Sequence, residues 1–327
     1  MGSSPVPTID IAPLVEGGFD ALGAPAVIEA LGSACAEVGF LAVTGHGVSP
    51  ALLKANRMAA RRFFALSSEA KLRVAPRRWN PESANVYRGY FPSSVHGKEG
   101  FDIGDPGLDA SMPELLERPY YERNRLPVEL GAAWSDTVFT YYDELLRLGR
   151  TLLEALARFL GGSLGAETRS FERPHSLSTL RFNLYPAREA PVEIARDDGA
   201  GLSCAAHVDS GLVTVLYQAD PDARAGLQVR AADRGWVDVP RDAAAFVVNT
   251  GLAFETLSKG TFRATRHRVL HSGSERLSIP FFVEPAHDFP VAPRSLGLDE
   301  EQPLHAMDYE TFLAKALEEF PEYSRDP

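Results

Sequence analysis

The sequence predicts a mixed α/β (α+β) chain, helical in its first half and built from short antiparallel strands in its second. Three observations carry that prediction. Apolar residues recur at helical spacing as far as Leu160, short runs of Val, Thr, Phe and Leu broken by Gly, Pro and Asp follow from Leu177, and an amphipathic stretch at 309–320 closes the chain.

A short strand-like segment, Thr8-Ile9-Asp10-Ile11, precedes a helix predicted over 24–38, where Val27, Ile28, Leu31, Cys35 and Val38 share a face. Gly39 ends it, and Phe40-Leu41-Ala42-Val43 reads as a strand running into the turn Gly45-His46-Gly47. Ser49-Pro50 opens the next helix, Ser as N-cap and Pro in the first turn, with Leu52, Leu53, Met58, Phe63 and Phe64 as its apolar positions. A third helical region spans 130–160 and stops at Gly161-Gly162. Strands are expected at 177–185, 212–217, 236–239, 244–249, 265–270 and 277–283. Strands this short and closely spaced predict an antiparallel sandwich or barrel. With no repeat and no linker, the helices are expected to buttress one β core.

Composition narrows the function. The chain has 327 residues, 45% hydrophobic and 24% charged, with a formal net charge of −11. An acidic chain of this kind lacks the basic face that nucleic acid needs and gains nothing from anionic lipid. Cys35 and Cys204 are too few and too far apart for a disulfide scaffold, which fits a reducing compartment. No signal-peptide pattern opens the chain and no run is long enough to span a membrane, so a cytoplasmic protein is expected, with a monomer plausible.

The chemistry centres on His207-Val208-Asp209. On a strand, residues two apart face the same side, so the imidazole and carboxylate can converge on one ion. Alone, the tripeptide reads as a polar turn or strand end. Residues downstream reverse that balance. His267, in the strand-like 264–269, supplies a third ligand, and two histidines with one carboxylate form the facial triad that leaves adjacent positions of Fe(II) open for O2 and a chelating co-substrate. Arg276-Leu277-Ser278 then offers a guanidinium fork and a hydroxyl on one strand face, suited to the distal carboxylate of a dicarboxylic co-acid. Upstream, Asn183 and Tyr185 share a face and add hydrogen-bonding groups.

Other histidines are less suited. His271 lies four after His267, about 13 Å along a strand at roughly 3.3 Å per residue, too far to share one ion. His46 in its Gly-His-Gly turn is expected to be structural. His96, His175, His287 and His305 have no partnering pattern and are expected on the surface or in loops. Cys204 is expected to be an inert small core residue.

Taken in order, these motifs resemble the isopenicillin N synthase-like Fe(II)/2-oxoglutarate oxygenases, a group that includes many plant flavonoid and hormone oxygenases. The likeness runs through Pro7-Thr8-Ile9-Asp10, the segment from Val38 to Val48, Phe63-Phe64-Ala65-Leu66 with Lys71, and Lys98-Glu99-Gly100-Phe101-Asp102. It continues through the Arg181 to Pro186 strand, His207 and Asp209, Asn249-Thr250-Gly251, His267-Arg268-Val269, and Arg276 with Ser278. The resemblance implies a double-stranded β-helix (jelly-roll) core, iron held by His207, Asp209 and His267, and co-substrate held by Arg276, Ser278, Tyr185 and Asn183. It implies one oxygenase domain over 1–327, with a mainly helical region to 165, the jelly roll over 177–285 and a C-terminal segment with a closing helix over 286–327.

It also implies a reaction. Fe(II), 2-oxoglutarate and O2 together would hydroxylate, desaturate or cyclise a small carboxylate, amino acid or natural-product intermediate, releasing succinate and CO2. Leu252 stands where the family often has Asp after Asn-x-Gly, a local change. A minority of the family uses O2 without 2-oxoglutarate, Arg-x-Ser then binding the substrate's own carboxylate. A non-catalytic or Zn(II)-binding jelly roll is the reading from another class. For substrate, the segment from Tyr87 to Phe91 resembles one that leans over the iron in some members. It brings in Tyr87 and Arg88, the latter a partner for a substrate carboxylate or a surface arginine, and Phe282 is a further contact or a packing residue.

Overall fold

The computed structural model describes residues 6–94, 97–220, 226–298, 306–318, 320 and 323. Its strands are β1 (Thr8–Asp10), β2 (Phe40–Thr44), β3 (Tyr90–Phe91), β4 (Glu99–Ile103), β5 (Thr179–Tyr185) and β6 (Glu193–Ile194). They continue with β7 (Gly201–His207), β8 (Val213–Tyr217), β9 (Leu227–Ala231), β10 (Gly235–Asp238), β11 (Phe246–Thr250), β12 (His267–Leu270) and β13 (Arg276–Val283). An eight-stranded sheet runs β1-β2-β11-β8-β13-β5-β4-β3 and a five-stranded sheet runs β10-β9-β12-β7-β6. The β1–β2 pair is parallel and the other pairs described in these two sheets are antiparallel.

Strand periodicity divides the large sheet into two faces. Leu41 and Val43, Leu180, Phe182 and Leu184, Val213 and Val215, and Leu277, Ile279, Phe281 and Val283 belong to the apolar core shared with the helices. Their alternates turn inward. Phe40, Tyr185, Leu216 and Val247 join Leu227, Val229 and Val269 of the small sheet in a second apolar cluster, which packs the two sheets together. Each fully buried Leu, Ile or Phe contributes about 1.5–3 kcal/mol of burial free energy, so this alternation fixes the register: a one-residue slip would turn the apolar set to the wrong side.

The long helix Ala132–Phe159 lies on the outer face, with Leu145, Leu148, Leu152 and Leu153 at zero exposure. Gly149 lets it close on β13, since an added Cβ would fall 2.5 Å from Val283 Cγ2. Ser49 caps Pro50–Phe64 as predicted, its hydroxyl accepting from Leu52 N at 3.2 Å. Gly39 (φ +73°) ends Ala24–Glu37 in the left-handed conformation, its N–H returning to Ala34 O at 3.0 Å. At the C-terminal end, the predicted closing helix is Tyr309–Leu317, capped by Asp308. Among the described residues no helix is long and apolar enough to cross a membrane.

One local expectation needs correction. His207 and Asp209 do not share a strand face, because β7 ends at His207. The chain then leaves the ladder, and Asp209 O accepts from Leu252 N, at the start of the helix Leu252–Leu257, at 2.9 Å. The carboxylate reaches its place from that loop.

Candidate active site

β7 and β12 pair so that His207 stands opposite His267, ring centroids 4.2 Å apart. Asp209 Oδ1 lies 3.8 Å from His207 Nε2 and 3.6 Å from His267 Nε2. All three ligand atoms fall within 4.8 Å of one another, a spacing that a single cation can bridge. Phe40, fully buried, packs edge-on against His267 at 5.3 Å and fixes that ring.

The other atoms of the three side chains are already engaged. Thr214 Oγ1 donates to Asp209 Oδ2 at 2.6 Å and Asn249 Nδ2 donates to the same oxygen at 2.8 Å, leaving Oδ1 toward the centre. Nδ1 of His207 lies 2.9 Å from Ala205 O, and Nδ1 of His267 lies 3.2 Å from Thr265 O. A carbonyl only accepts, so Nδ1 carries a hydrogen and Nε2 is the nitrogen left to face an ion.

Charge follows the same arrangement. Burial, with the neighbouring His207, pushes His267 down to about 4, toward the neutral imidazole that binds metal. Burial opposes ionisation of Asp209, yet His267, His207 and the two hydrogen bonds outweigh it and hold the carboxyl below its usual range. Burial also opposes a charge on His207, but Cys204 and Asp209 raise it to about 9, so a bound cation displaces a proton there.

A second group lies on the inner face of the large sheet. In the β5–β13 register Arg276 opposes Tyr185 and Ser278 opposes Asn183. Arg276 is buried with its Cζ 5.3 Å from the Tyr185 ring centre. Its Nη1, like Asn183 Oδ1, is buried and has no hydrogen-bond partner among the described residues. Burial keeps the Tyr185 hydroxyl protonated as a donor. Unpaired buried polar atoms are costly; the Arg276 nitrogen is a donor that an acidic ligand would satisfy, whereas Asn183 Oδ1 can only accept.

Known proteins match this chain in sequence and fold. Residues 6–129 match the family description "non-haem dioxygenase in morphine synthesis N-terminal", and residues 176–285 match the "2OG-Fe(II) oxygenase superfamily". Isopenicillin N synthase of Streptomyces clavuligerus is 32% identical over 324 residues, spanning 97% of this chain and 96% of that protein. The chain belongs to the 2OG-Fe(II) oxygenase superfamily. A 2-oxoglutarate-dependent dioxygenase of Monascus ruber is also 32% identical, over 88% of this chain and 87% of its own. The crystal structure of a 2OG-Fe(II) oxygenase family protein from Caulobacter crescentus shares the fold at a TM-score of 0.74 and 24% identity, covering 97% of this chain and 100% of that one. The expected jelly-roll architecture is thereby borne out.

Iron, 2-oxoglutarate and O2 are the cofactor set of this superfamily, and the donors here fit the metal: two neutral-capable imidazoles and one carboxylate, oriented and partly desolvated. In this oxygenase the remaining candidates take varied places. Arg88 is no surface residue; it is buried, and its Nη1 and Nη2 donate to Thr179 Oγ1 and Leu177 O at 2.7 Å each. Tyr87 is buried against the rings of Tyr120 and Tyr323. Phe282, half-buried, lies under the Arg181 guanidinium at 5.6 Å and in register with Thr214.

His271 follows β12 and lies 3.3 Å from Ser203 Oγ, away from the triad as expected. His46 has its predicted structural place, Nε2 lying 3.0 Å from Ala244 O while Nδ1 accepts from Val48 N at 3.1 Å. His175 is exposed, and His96 and His305 lie outside the described residues. Thr214 and Phe40, which hold Asp209 and His267 in place, were missed by sequence reasoning.

Proposed function

We propose that this oxygenase is Fe(II)- and 2-oxoglutarate-dependent and that it hydroxylates, desaturates or cyclises a small carboxylate, amino acid or natural-product intermediate. The observation that carries the reading is the buried, unpartnered Nη1 of Arg276 on the same inner face that Asp209, His207 and His267 approach. His207, Asp209 and His267 would hold the iron, which when bound supplies the activation of O2 that no side chain can provide.

The chain's own residues do the positioning. Thr214 and Asn249 keep Asp209 Oδ1 facing the ion, and the carbonyls of Ala205 and Thr265 set the two imidazole tautomers. Arg276 and Ser278 would take the distal carboxylate of 2-oxoglutarate, with Tyr185 donating from the adjacent strand and Asn183 completing the wall. Burial of these groups excludes water from the reacting face.

Isopenicillin N synthases among the relatives favour a second reading, in which Arg276 and Ser278 take the substrate's own carboxylate. Two measurements separate the two. Anaerobic Fe(II) with 2-oxoglutarate should give a visible charge-transfer band that His207→Ala removes. Turnover should release succinate in step with product, and product formation unchanged without 2-oxoglutarate would sink the first reading.

A further inference from the structure

β7 and β12 carry the two histidines of the triad, yet their ladder is irregular. β7 uses residues 202–207 to cover what β12 covers with 267–270, and the register shifts on both sides of Val269. Bulges of this kind bend a strand and re-aim its side chains. Two carbonyls of the bulged stretch bond outside the ladder: Ala205 O faces His207 Nδ1 at 2.9 Å, and Ala206 O accepts from Arg266 Nη2 at 2.8 Å. On its other edge β12 is regular, with His267, Arg268 and Val269 opposing Val229, Gln228 and Leu227 of β9. The backbone therefore ties His267 closely to β9 and loosely to the strand that bears His207.

A side-chain clamp spans that looseness. Val269 packs in the cluster between the sheets, so Arg268 points to the outer face, where it is nevertheless only 2% exposed. Its Nε and Nη2 donate to Gln228 Oε1 at 3.0 and 2.9 Å. Its Nη1 and Nη2 donate to the two oxygens of Asp198 at 3.0 and 2.6 Å. Asp198 lies in the turn between β6 and β7, which Ala195 N closes by donating to Ala200 O at 2.8 Å. The Trp236 ring covers the guanidinium, its centre 4.1 Å from Cζ, and the indole Nε1 donates to Asp197 Oδ2 at 2.9 Å. One residue from His267, a single guanidinium thus joins β9 and β12 to the β6–β7 hairpin.

We infer that Arg268 is a positioning residue of the metal centre: its paired bonds to Asp198 and Gln228 set where His267 stands relative to His207. The inference rests on the proposed ligation by His207, Asp209 and His267. A bidentate guanidinium–carboxylate pair fixes angle as well as distance, which the bulged ladder alone does not.

The test uses the full chain, freed of metal, and Co(II), whose visible ligand-field bands report ligand geometry. Arg268→Met keeps a long side chain against Trp236 and removes the fork. Its Co(II) affinity should fall about ten- to a hundredfold, the loss typical of an outer-shell partner, and its bands should shift. Asp198→Asn retains one acceptor oxygen and should move affinity the same way by about three- to tenfold. Arg230→Gln breaks the exposed Arg230–Asp197 pair on the same face and should leave affinity and bands as in the native protein. Native Co(II) affinity and bands in both Arg268→Met and Asp198→Asn, whatever happens to their Tm, would reduce the clamp to structural support and overturn the inference. A loss in Arg230→Gln as large as in Arg268→Met would overturn it too, by making the effect general to that face. If Arg268→Met does not fold, Asp198→Asn decides. His267→Ala tests the reading beneath: Co(II) binding unchanged in that variant would remove His267 from the ligand set, an outcome distinct from native-like binding in the clamp variants.

Discussion

His207 and His267 face one another across the β7–β12 ladder, centroids 4.2 Å apart, so two ligands remote in sequence are fixed by one strand pairing. Replacing either with Ala should reduce Fe(II) affinity by well over about a hundredfold, beyond the loss typical of an outer-shell change. Anaerobic titration measures it, and near-native affinity in either variant would remove that histidine from the ligand set.

Thr214 and Asn249 both donate to Asp209 Oδ2. Thr214→Val and Asn249→Ala should each weaken metal binding about ten- to a hundredfold, with activity recovering at high Fe(II). Activity that stays low at saturating iron would mean these residues do more than orient the carboxylate.

Arg276→Lys keeps the charge and loses the fork. Half-saturation by 2-oxoglutarate should rise about tenfold or more, measured by titrating the charge-transfer band. A change confined to the KM of the prime substrate would instead favour the second reading.

Gly251 has an extended φ of −110°, and its requirement is space: an added Cβ would lie 2.4 Å from Gly211 O and 2.8 Å from Asp209 O. Gly251→Ala should cost on the order of 1–3 kcal/mol and weaken iron binding, because the displaced loop carries Asp209. Unaltered Tm and iron affinity would show that the loop yields freely.

Burial raises the Glu284 carboxyl from 4.5 to about 7, so the native state holds that proton more tightly than the unfolded chain. Its contribution is fully present below about pH 4.5 and is lost as pH rises through about 7, on the order of 3 kcal/mol at most. Glu284→Gln has no such titration. Its Tm relative to native should therefore improve between pH 5 and pH 8, and a constant difference would contradict the assigned burial.

Much of this was legible in the residues. The apolar face of Ala132–Phe159, the Ser49 cap, the Val-rich β8 and β11 and the Phe-containing β13 announce themselves through periodicity and strand-forming content. β7 did not, because Gly-Leu-Ser-Cys-Ala-Ala-His is poor in strand formers and is held by its neighbours. β4, with Glu99 and Asp102 within five residues, looks like surface until Lys71 and Arg181 are seen to pair with them at 2.5 Å. The metal set was readable from residue types and order. Its orientation was not, since Thr214, Asn249 and Phe40 meet the ligands only after β2, β8 and β11 have paired.

The placement of Arg276, Ser278 and Phe282 along one strand makes β13 a ruler. At about 3.3 Å per residue, a rigid backbone sets the gap between the end that would grip the co-substrate and the end that would meet the molecule being oxidised. Substitutions at the far end can therefore change which compound is admitted while the near end and the metal stay in calibration. A lineage can shift its diet along that strand without relearning how to handle oxygen.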